Sequence, residues 1–260
     1  MKRSGMILVL FSCVFLLACG EGDQYSAPEA ATHSRIINGN EADQAEFPWI
    51  VKVIAKIGED RFNGCTGTVI GKKAVITAAH CVKGVQAVYI QTDGQDGPVF
   101  QVESIHIAKG YLALPILGVY NDMAVVITDA ALGRPALPLI SSALPKPGEK
   151  VWLAGFGLEN ADSGSYGTLR IGETEIFKVT YLHLITRFDG RNSNVCFGDS
   201  GGPMLQVVRG SSGELIGMGI AGIVSSGTSA KCAIGDWAFF TVIQRYLDGI
   251  LQLVPEAQLL

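Results

Sequence analysis

No run of lysine and arginine interleaved with aromatics occurs in this sequence, and it has neither a Cys-x-x-Cys pair nor a Cys/His cluster at ligand spacing. The first absence argues against nucleic acid as a partner. The second argues against a zinc site, and no metal or other cofactor is expected. Asp93 and Asp96, in the turn-rich DGQDG, read as solvated turn residues rather than ligands. Charged residues are scarce, 17% of 260, while glycines number 32. That balance fits a loop-rich β protein better than a helical bundle, a coiled coil or a disordered tail. Internal repeats, low-complexity tracts and heptad seams are missing as well, and a net charge of -4 singles out no partner.

Lys2 and Arg3 precede an apolar run over residues 6–17 that is followed by small residues, the plan of an export signal. The run is too short to span a bilayer. Leu16-Leu17-Ala18-Cys19 resembles the bacterial lipobox, which implies cleavage before Cys19 and a diacylglycerol on its thiol; the alternative is an ordinary signal peptide that ends near a cysteine. Gly20 is not the aspartate that retains such proteins at the inner membrane, so an outer-membrane address stays open. The expected layout is a signal peptide over residues 1–18, a lipidated spacer or propeptide over 19–35 and a folded domain over 36–260, with membrane contact only through the lipid on Cys19. Of the six cysteines, Cys13 falls in the signal and Cys19 would carry the lipid, leaving Cys65, Cys81, Cys196 and Cys232 for the folded part. Four cysteines allow three connectivities, all open at this point.

Residues 20–34 are polar, without apolar periodicity, and read as a flexible spacer. From Arg35 onward short apolar or alternating runs, at 49–57, 66–70, 74–77, 87–91, 124–128, 151–154, 215–224 and 237–242, are broken by glycine and proline. Many short strands with frequent turn signals predict an all-β sandwich or barrel fold. Only residues 241–253 carry apolar spacing suited to an amphipathic helix.

Three segments carry chemistry. Thr77-Ala78-Ala79-His80-Cys81 places an imidazole at a strand end, Asn121-Asp122-Met123 places a carboxyl at the mouth of a strand, and Gly198-Asp199-Ser200-Gly201-Gly202-Pro203 places a hydroxyl in a glycine-flanked turn. In that turn the amides of Gly198 and Ser200 are free to face a ligand. A nucleophilic serine needs an imidazole base, a carboxylate that fixes the imidazole tautomer, and backbone donors for the oxyanion. Taken alone, each segment also suits a tight turn, a core histidine or a turn-start acid.

In His-Asp-Ser order the three segments together resemble the chymotrypsin/trypsin family of serine proteases, here as a bacterial member with a lipoprotein-type signal. The likeness extends to Arg35-Ile36-Ile37-Asn38-Gly39, similar to that family's activation junction, and to Glu46-Phe47-Pro48-Trp49. It implies two six-stranded antiparallel β-barrels with a C-terminal helix, and a serine endopeptidase with the triad His80, Asp122 and Ser200 and an oxyanion hole of the Gly198 and Ser200 amides. It further implies a zymogen cut after Arg35, whose new Ile36 ammonium pairs with Asp199. The implied disulfides are Cys65–Cys81 and Cys196–Cys232, and the implied partners are a protein or peptide substrate and an activating trypsin-like protease.

The pocket departs from the trypsin pattern. Asn194 stands where trypsin-like members carry an acid, Val195 adds an apolar wall, and Ala238 falls where a glycine is usual. Ser225 and Gly227 lie in the segment that resembles the family's substrate-pairing strand, and Ser226 replaces its usual tryptophan. A small or medium uncharged residue before the scissile bond is therefore expected, together with a separate activator for Arg35. Release of the protease from the lipid on Cys19 would accompany that cut, so the envelope and the medium are both expected addresses. Two rival functions use the same sequence: a noncatalytic binding module on a protease scaffold, and an esterase acting on small acyl substrates.

Overall fold

The computed structural model describes residues 36–94, 96–114, 118–157 and 167–260. The expected signal, spacer, Cys19 and Arg35 lie outside the described residues. Among the described residues fifteen strands follow one another: β1 (Asn40–Glu41), β2 (Ile50–Lys56), β3 (Phe62–Val69), β4 (Ala74–Thr77), β5 (Ala87–Gln91), β6 (Val99–Ile107), β7 (Leu112–Leu114), β8 (Gly118–Tyr120), β9 (Ala124–Thr128), β10 (Lys150–Gly155), β11 (Arg170–Val179), β12 (His183–Arg187), β13 (Pro203–Arg209), β14 (Leu215–Gly227) and β15 (Trp237–Val242). One helical turn, α1 (Ala79–Val82), follows β4, and α2 (Leu247–Leu253) follows β15.

The strands close two antiparallel barrels. The first runs β2-β3-β4-β9-β6-β5; the second runs β11-β10-β13-β14-β15-β12 and is closed by the β11–β12 pairing, with β1 added to β11. Closure removes the free sheet edges that a long open sheet would expose. β2 and β4 are almost continuously buried, so they read as unbroken apolar runs. β6 and β11 instead alternate between more and less exposed positions.

Ile50, Val53, Val75, Ile76, Ile90 and Val126 of the first barrel are buried on one or other face of its strands, and Leu153, Ile176, Leu184, Met204 and Phe240 of the second form a separate buried cluster. Each such side chain contributes roughly 1.5–3 kcal/mol by leaving water. The chain crosses over at both ends: β1 pairs with β11 of the second barrel, whereas Ile250 and Val254 pack with the core of the first.

The expected helix over 241–253 begins later than its apolar spacing suggests. Thr241 and Val242 remain in β15, where Thr241 pairs with His183, and Ile243–Tyr246 form a 3-10 turn before α2. Disulfides join Cys65 to Cys81 and Cys196 to Cys232. The first ties β3 to α1, and a loop of its length is worth about 3 kcal/mol in the chain-entropy account. No helix among the described residues is long and apolar enough to cross a membrane.

Candidate active site

The imidazole reaches the cleft from α1, one helical turn beyond the strand end where it was expected. The Cys81 backbone N–H donates to the Ala78 carbonyl at 3.2 Å, turning the chain immediately after β4. Asp122 is completely buried, yet α1, β14 and β15 each supply it a donor. His80 Nδ1 lies 2.7 Å from Asp122 Oδ2, and the His80 backbone N–H donates to Oδ1 at 2.9 Å. Ser225 Oγ donates to Oδ2 at 2.7 Å, and Thr241 Oγ1 donates to the Asp122 carbonyl at 3.0 Å.

His80 comes from the first barrel, while Ser225 and Thr241 come from the second, so the acid is clamped between the two. A buried carboxyl is tolerable only with such partners. The preceding residue prepares this position. Asn121 takes a left-handed φ of 52° that asparagine accepts better than most residues. Its amide donates to Gly110 and accepts from the Tyr246 hydroxyl.

Ser200 arrives on the turn ahead of β13. Its carbonyl accepts from the Thr66 N–H of β3 at 2.8 Å, docking the turn of the second barrel against the first. The approach depends on Gly201, whose φ is 80° and whose absent side chain would meet Thr77 Oγ1 at 2.1 Å and the Thr66 carbonyl at 2.4 Å. Cys81 Sγ lies 3.7 Å from both His80 Nε2 and the Ser200 carbonyl, so imidazole and serine flank one sulfur. Gly198 adopts φ 92°, and its carbonyl turns inward to accept from Thr66 Oγ1. The amides of Gly198 and Ser200 have no acceptor among the described residues. They are available to a ligand.

Asp199 points the other way, into the second barrel, and is completely buried. It accepts from the amides of Gly157 and Cys196, each at 2.9 Å, and no cation among the described residues pairs with it. Burial pushes its pKa up to about 7 against the pull of those two donors. Ile36 is also fully buried, and Ile37 exchanges two backbone hydrogen bonds with Asn194.

Beside Ser200 a cavity of about 300 Å³ holds all five sequence-selected pocket residues: Asn194, Val195, Ser225, Gly227 and Ala238. Sequence reasoning missed Phe197, Trp237 and Asp236 on its walls. Asp236 is an acid in a pocket expected to lack one. Its carboxylate accepts from Thr228 Oγ1, Ser229 Oγ and the Ala233 amide, and so serves as a staple for the wall. Burial opposes its charge, but those three donors outweigh it and hold the pKa below the usual carboxylate range. Ser225 also has a second place that its motif did not reveal, as a donor to Asp122. An overhanging hydroxyl of this kind leaves no signal in a single sequence. Cys65, His80 and Cys81 lie close together, but both cysteines are consumed by the disulfide and do not make a metal centre.

Two closed barrels with histidine, aspartate and serine converging between them define the architecture of a serine protease. The family description "Trypsin" matches residues 36–250, and the chain belongs to the trypsin family. It is 27% identical to proclotting enzyme of Tachypleus tridentatus over 85% of this chain and 66% of that protein. It is 25% identical to trypsin alpha of Drosophila melanogaster, covering 82% and 86% of the two chains. With human kallikrein-8 it shares 26% identity over 93% and 94%. The chain thus spans just under two thirds of proclotting enzyme, and only 23% of rat transmembrane protease serine 9, which it also resembles at 26% identity. Among solved structures, HL collagenase superposes with a TM-score of 0.66 at 21% identity, covering 84% of this chain and 97% of that one. Mouse neuropsin gives 0.66 at 23%, covering 83% and 98%, and both likenesses bear on the fold. Two disulfides accord with an oxidising compartment outside the cytoplasm.

Proposed function

We propose that this chain is a serine endopeptidase that works through an acyl-enzyme and is made as a zymogen cut after Arg35. Ser200 Oγ attacks the scissile carbonyl while His80 takes its proton and later returns it to the leaving amine. Asp122 holds the His80 tautomer with Nδ1 protonated, and the amides of Gly198 and Ser200 receive the oxyanion. The observation that carries this reading is the clamped carboxylate: Asp122, fully buried, bonded at once to the ring and the backbone of His80 and to Ser225. A binding module would have no use for a desolvated acid aimed at an imidazole, and the retained triad also disfavours that rival.

Three features support the zymogen step. Asp199 is a buried acid without a cation among the described residues. Ile36 already lies inside the protein. Its φ of 37° is left-handed, a conformation that costs a β-branched residue about 1–3 kcal/mol. That dihedral is defined by the Arg35 carbonyl, so hydrolysis of the 35–36 bond abolishes the strain and creates an ammonium that the proposal pairs with the Asp199 carboxyl. The neutral Asn194 and the Ala238 methyl support a small or medium uncharged residue before the scissile bond. An enzyme with that preference needs a trypsin-like activator to cut after Arg35. If Cys19 carries lipid, the same cut frees the protease from the envelope.

The experiment is fluorophosphonate labelling before and after trypsin cleavage at Arg35, with the adduct located by peptide mass. Labelling of Ser200 only after the cut supports triad and zymogen together, and labelling before the cut removes the activation step. No labelling of a chain that begins at Ile36 favours the binding module. Comparing turnover of matched peptides and esters separates the peptidase from the esterase.

A further inference from the structure

Thr66, in β3 of the first barrel, is fully buried and bonded to three residues from the second half of the chain. Its N–H donates to the Ser200 carbonyl at 2.8 Å, its hydroxyl donates to the Gly198 carbonyl at 2.9 Å, and the same oxygen accepts from the Phe156 N–H at 3.1 Å. A hydroxyl has one proton to give. Because an amide can only donate, the Phe156 N–H occupies a lone pair and leaves that proton to Gly198. The Thr66 carbonyl accepts from Thr77 Oγ1 at 2.9 Å, and a Cβ on Gly202 would come within 3.2 Å of the Thr66 methyl, so the residue is held from both sides.

The amides of Gly198 and Ser200 are not equally well fixed. The Ser200 N–H belongs to the peptide group whose carbonyl, that of Asp199, accepts from the Gly202 N–H at 2.8 Å; the group is planar, so that bond fixes the N–H as well. The Gly198 N–H belongs to the peptide group whose carbonyl is that of Phe197, which accepts no hydrogen bond among the described residues. Nor does a Cβ restrain it, since Gly198 sits at φ 92° and a glycine leaves such a value at little cost. What holds Gly198 is the peptide group on its far side, tied by the Asp199 N–H to the Cys196 carbonyl at 3.1 Å and by its own carbonyl to the Thr66 hydroxyl.

We propose that Thr66 is a positioning residue for the reaction, whose hydroxyl, by holding the Gly198 carbonyl inward, keeps the Gly198 amide aimed at the oxyanion. The inference rests on the endopeptidase reading and deepens it. Thr66 acts through the glycine rather than on the substrate. Without the hydroxyl the Gly198 carbonyl loses its donor and regains one by turning toward water, a rearrangement that glycine permits and that carries the amide off its line. A misdirected donor costs most where the negative charge is greatest, in the tetrahedral transition state, and little when the substrate carbonyl is still neutral. The loss therefore falls on kcat rather than on KM.

The test compares Thr66→Val, which keeps the shape and the backbone N–H but has no hydroxyl, with Thr66→Ser, which keeps the hydroxyl, both in the Arg35-cleaved enzyme and checked for folding by urea unfolding. Steady-state kinetics use the peptide amide that is turned over fastest. Two inhibitors of the same sequence are measured beside it: a trifluoromethyl ketone, whose adduct with Ser200 places an oxyanion in the hole, and a peptide with CH2–NH for the scissile amide, which has no oxygen to put there. For Thr66→Val the expected result is a kcat at least about tenfold lower with KM little changed, and a ketone weakened by a similar factor while the reduced peptide binds as before. Thr66→Ser should keep kcat within about threefold, and the pH dependence of kcat/KM should keep its shape, because the His80–Asp122 contact is untouched. An unchanged kcat in Thr66→Val, an equal loss in Thr66→Ser, or equal weakening of both inhibitors overturns the proposal. If Thr66→Val does not fold, Thr66→Ala decides in the same assays, since a water can bridge the Phe156 and Gly198 groups and spare the fold but is held less firmly than a side chain. A lower kcat at constant KM is expected of it, and an unchanged kcat overturns the proposal. Fluorophosphonate labelling runs alongside: a labelled Ser200 with no effect of Thr66→Val sinks the role of Thr66 alone. Absence of both label and turnover in the unmutated enzyme sinks the endopeptidase reading and this inference with it.

Discussion

The uncut chain buries the Asp199 carboxyl completely, with two backbone amides and no cation among the described residues to hold its charge. Its pKa accordingly rises from 3.8 to about 7, chiefly through burial. Unfolded, the same group loses its proton near 3.8. Between those values the folded form keeps a proton that the unfolded form has released, so stability must fall as pH rises through the window. At about 1.4 kcal/mol per pH unit over roughly three units, the loss is about 4 kcal/mol, complete just above pH 7. Asp199→Asn has the shape of the protonated acid but no charge to bury, so it carries no such slope.

The assay is urea unfolding of the precursor with Ser200→Ala, which suppresses self-digestion, with and without Asp199→Asn from pH 4 to 8. The unfolding free energy with Asp199, minus that with asparagine, should fall by about 4 kcal/mol across the range, other titrating groups cancelling in the difference. A difference flat to within about 1 kcal/mol would refute the claim that the acid lies buried without a cation. Repeating the series after cleavage at Arg35 should remove the slope, because the Ile36 ammonium then keeps Asp199 ionised from low pH upward.

Asp122→Asn should leave the fold intact but favour the wrong His80 tautomer, lowering kcat by about 10⁴ at neutral pH; steady-state kinetics on peptide and ester substrates check it, and a loss under tenfold would count against the clamp. Gly157→Ala should prevent the Asp199 turn from forming, since the added Cβ would sit 2.5–2.6 Å from the carboxyl atoms of Asp199; Ser200 should then label at least tenfold more slowly in the cleaved protein, by analogy with the effect of losing oxyanion donors. Asn194→Asp should raise kcat/KM for arginine and lysine before the scissile bond by at least about tenfold. If the parent enzyme already prefers those residues and loses them on Asp236→Asn, then Asp236, rather than Asn194, sets the specificity.

What the sequence makes legible divides along physical lines. β4, β5, β9 and β15 fall where their apolar runs lie, and β4 and β9, buried almost throughout, read as near-continuous hydrophobic segments because both their faces are covered. β6, with VFQVESIHI, and β11, with RIGETEIFKV, keep one face toward solvent and alternate polar with apolar residues. A search for apolar runs passes over them, although alternation itself is a strand signal. The triad motifs are similarly legible, since each short segment brings its own turn chemistry, such as the positive φ at Asn121, Gly198 and Gly201.

The pocket and the groove beside it are of another kind. Asp236 and Trp237 reach the cavity only because β15 pairs with β14, and His183 shares a cavity with Val119 only because the β7–β8 hairpin lies beside the end of the second barrel. None of these contacts is encoded in a local run of residues. The same reason makes them informative about selectivity. Under the proposed mechanism the triad residues are held by local turns and by the clamp on Asp122, whereas much of the pocket wall comes from distant strands. In this chain Asp236 stands out by its chemistry, an acid already satisfied by three donors. Its carboxylate is consumed by the wall it belongs to, so it is not a ready counter-charge for a cationic side chain in the pocket.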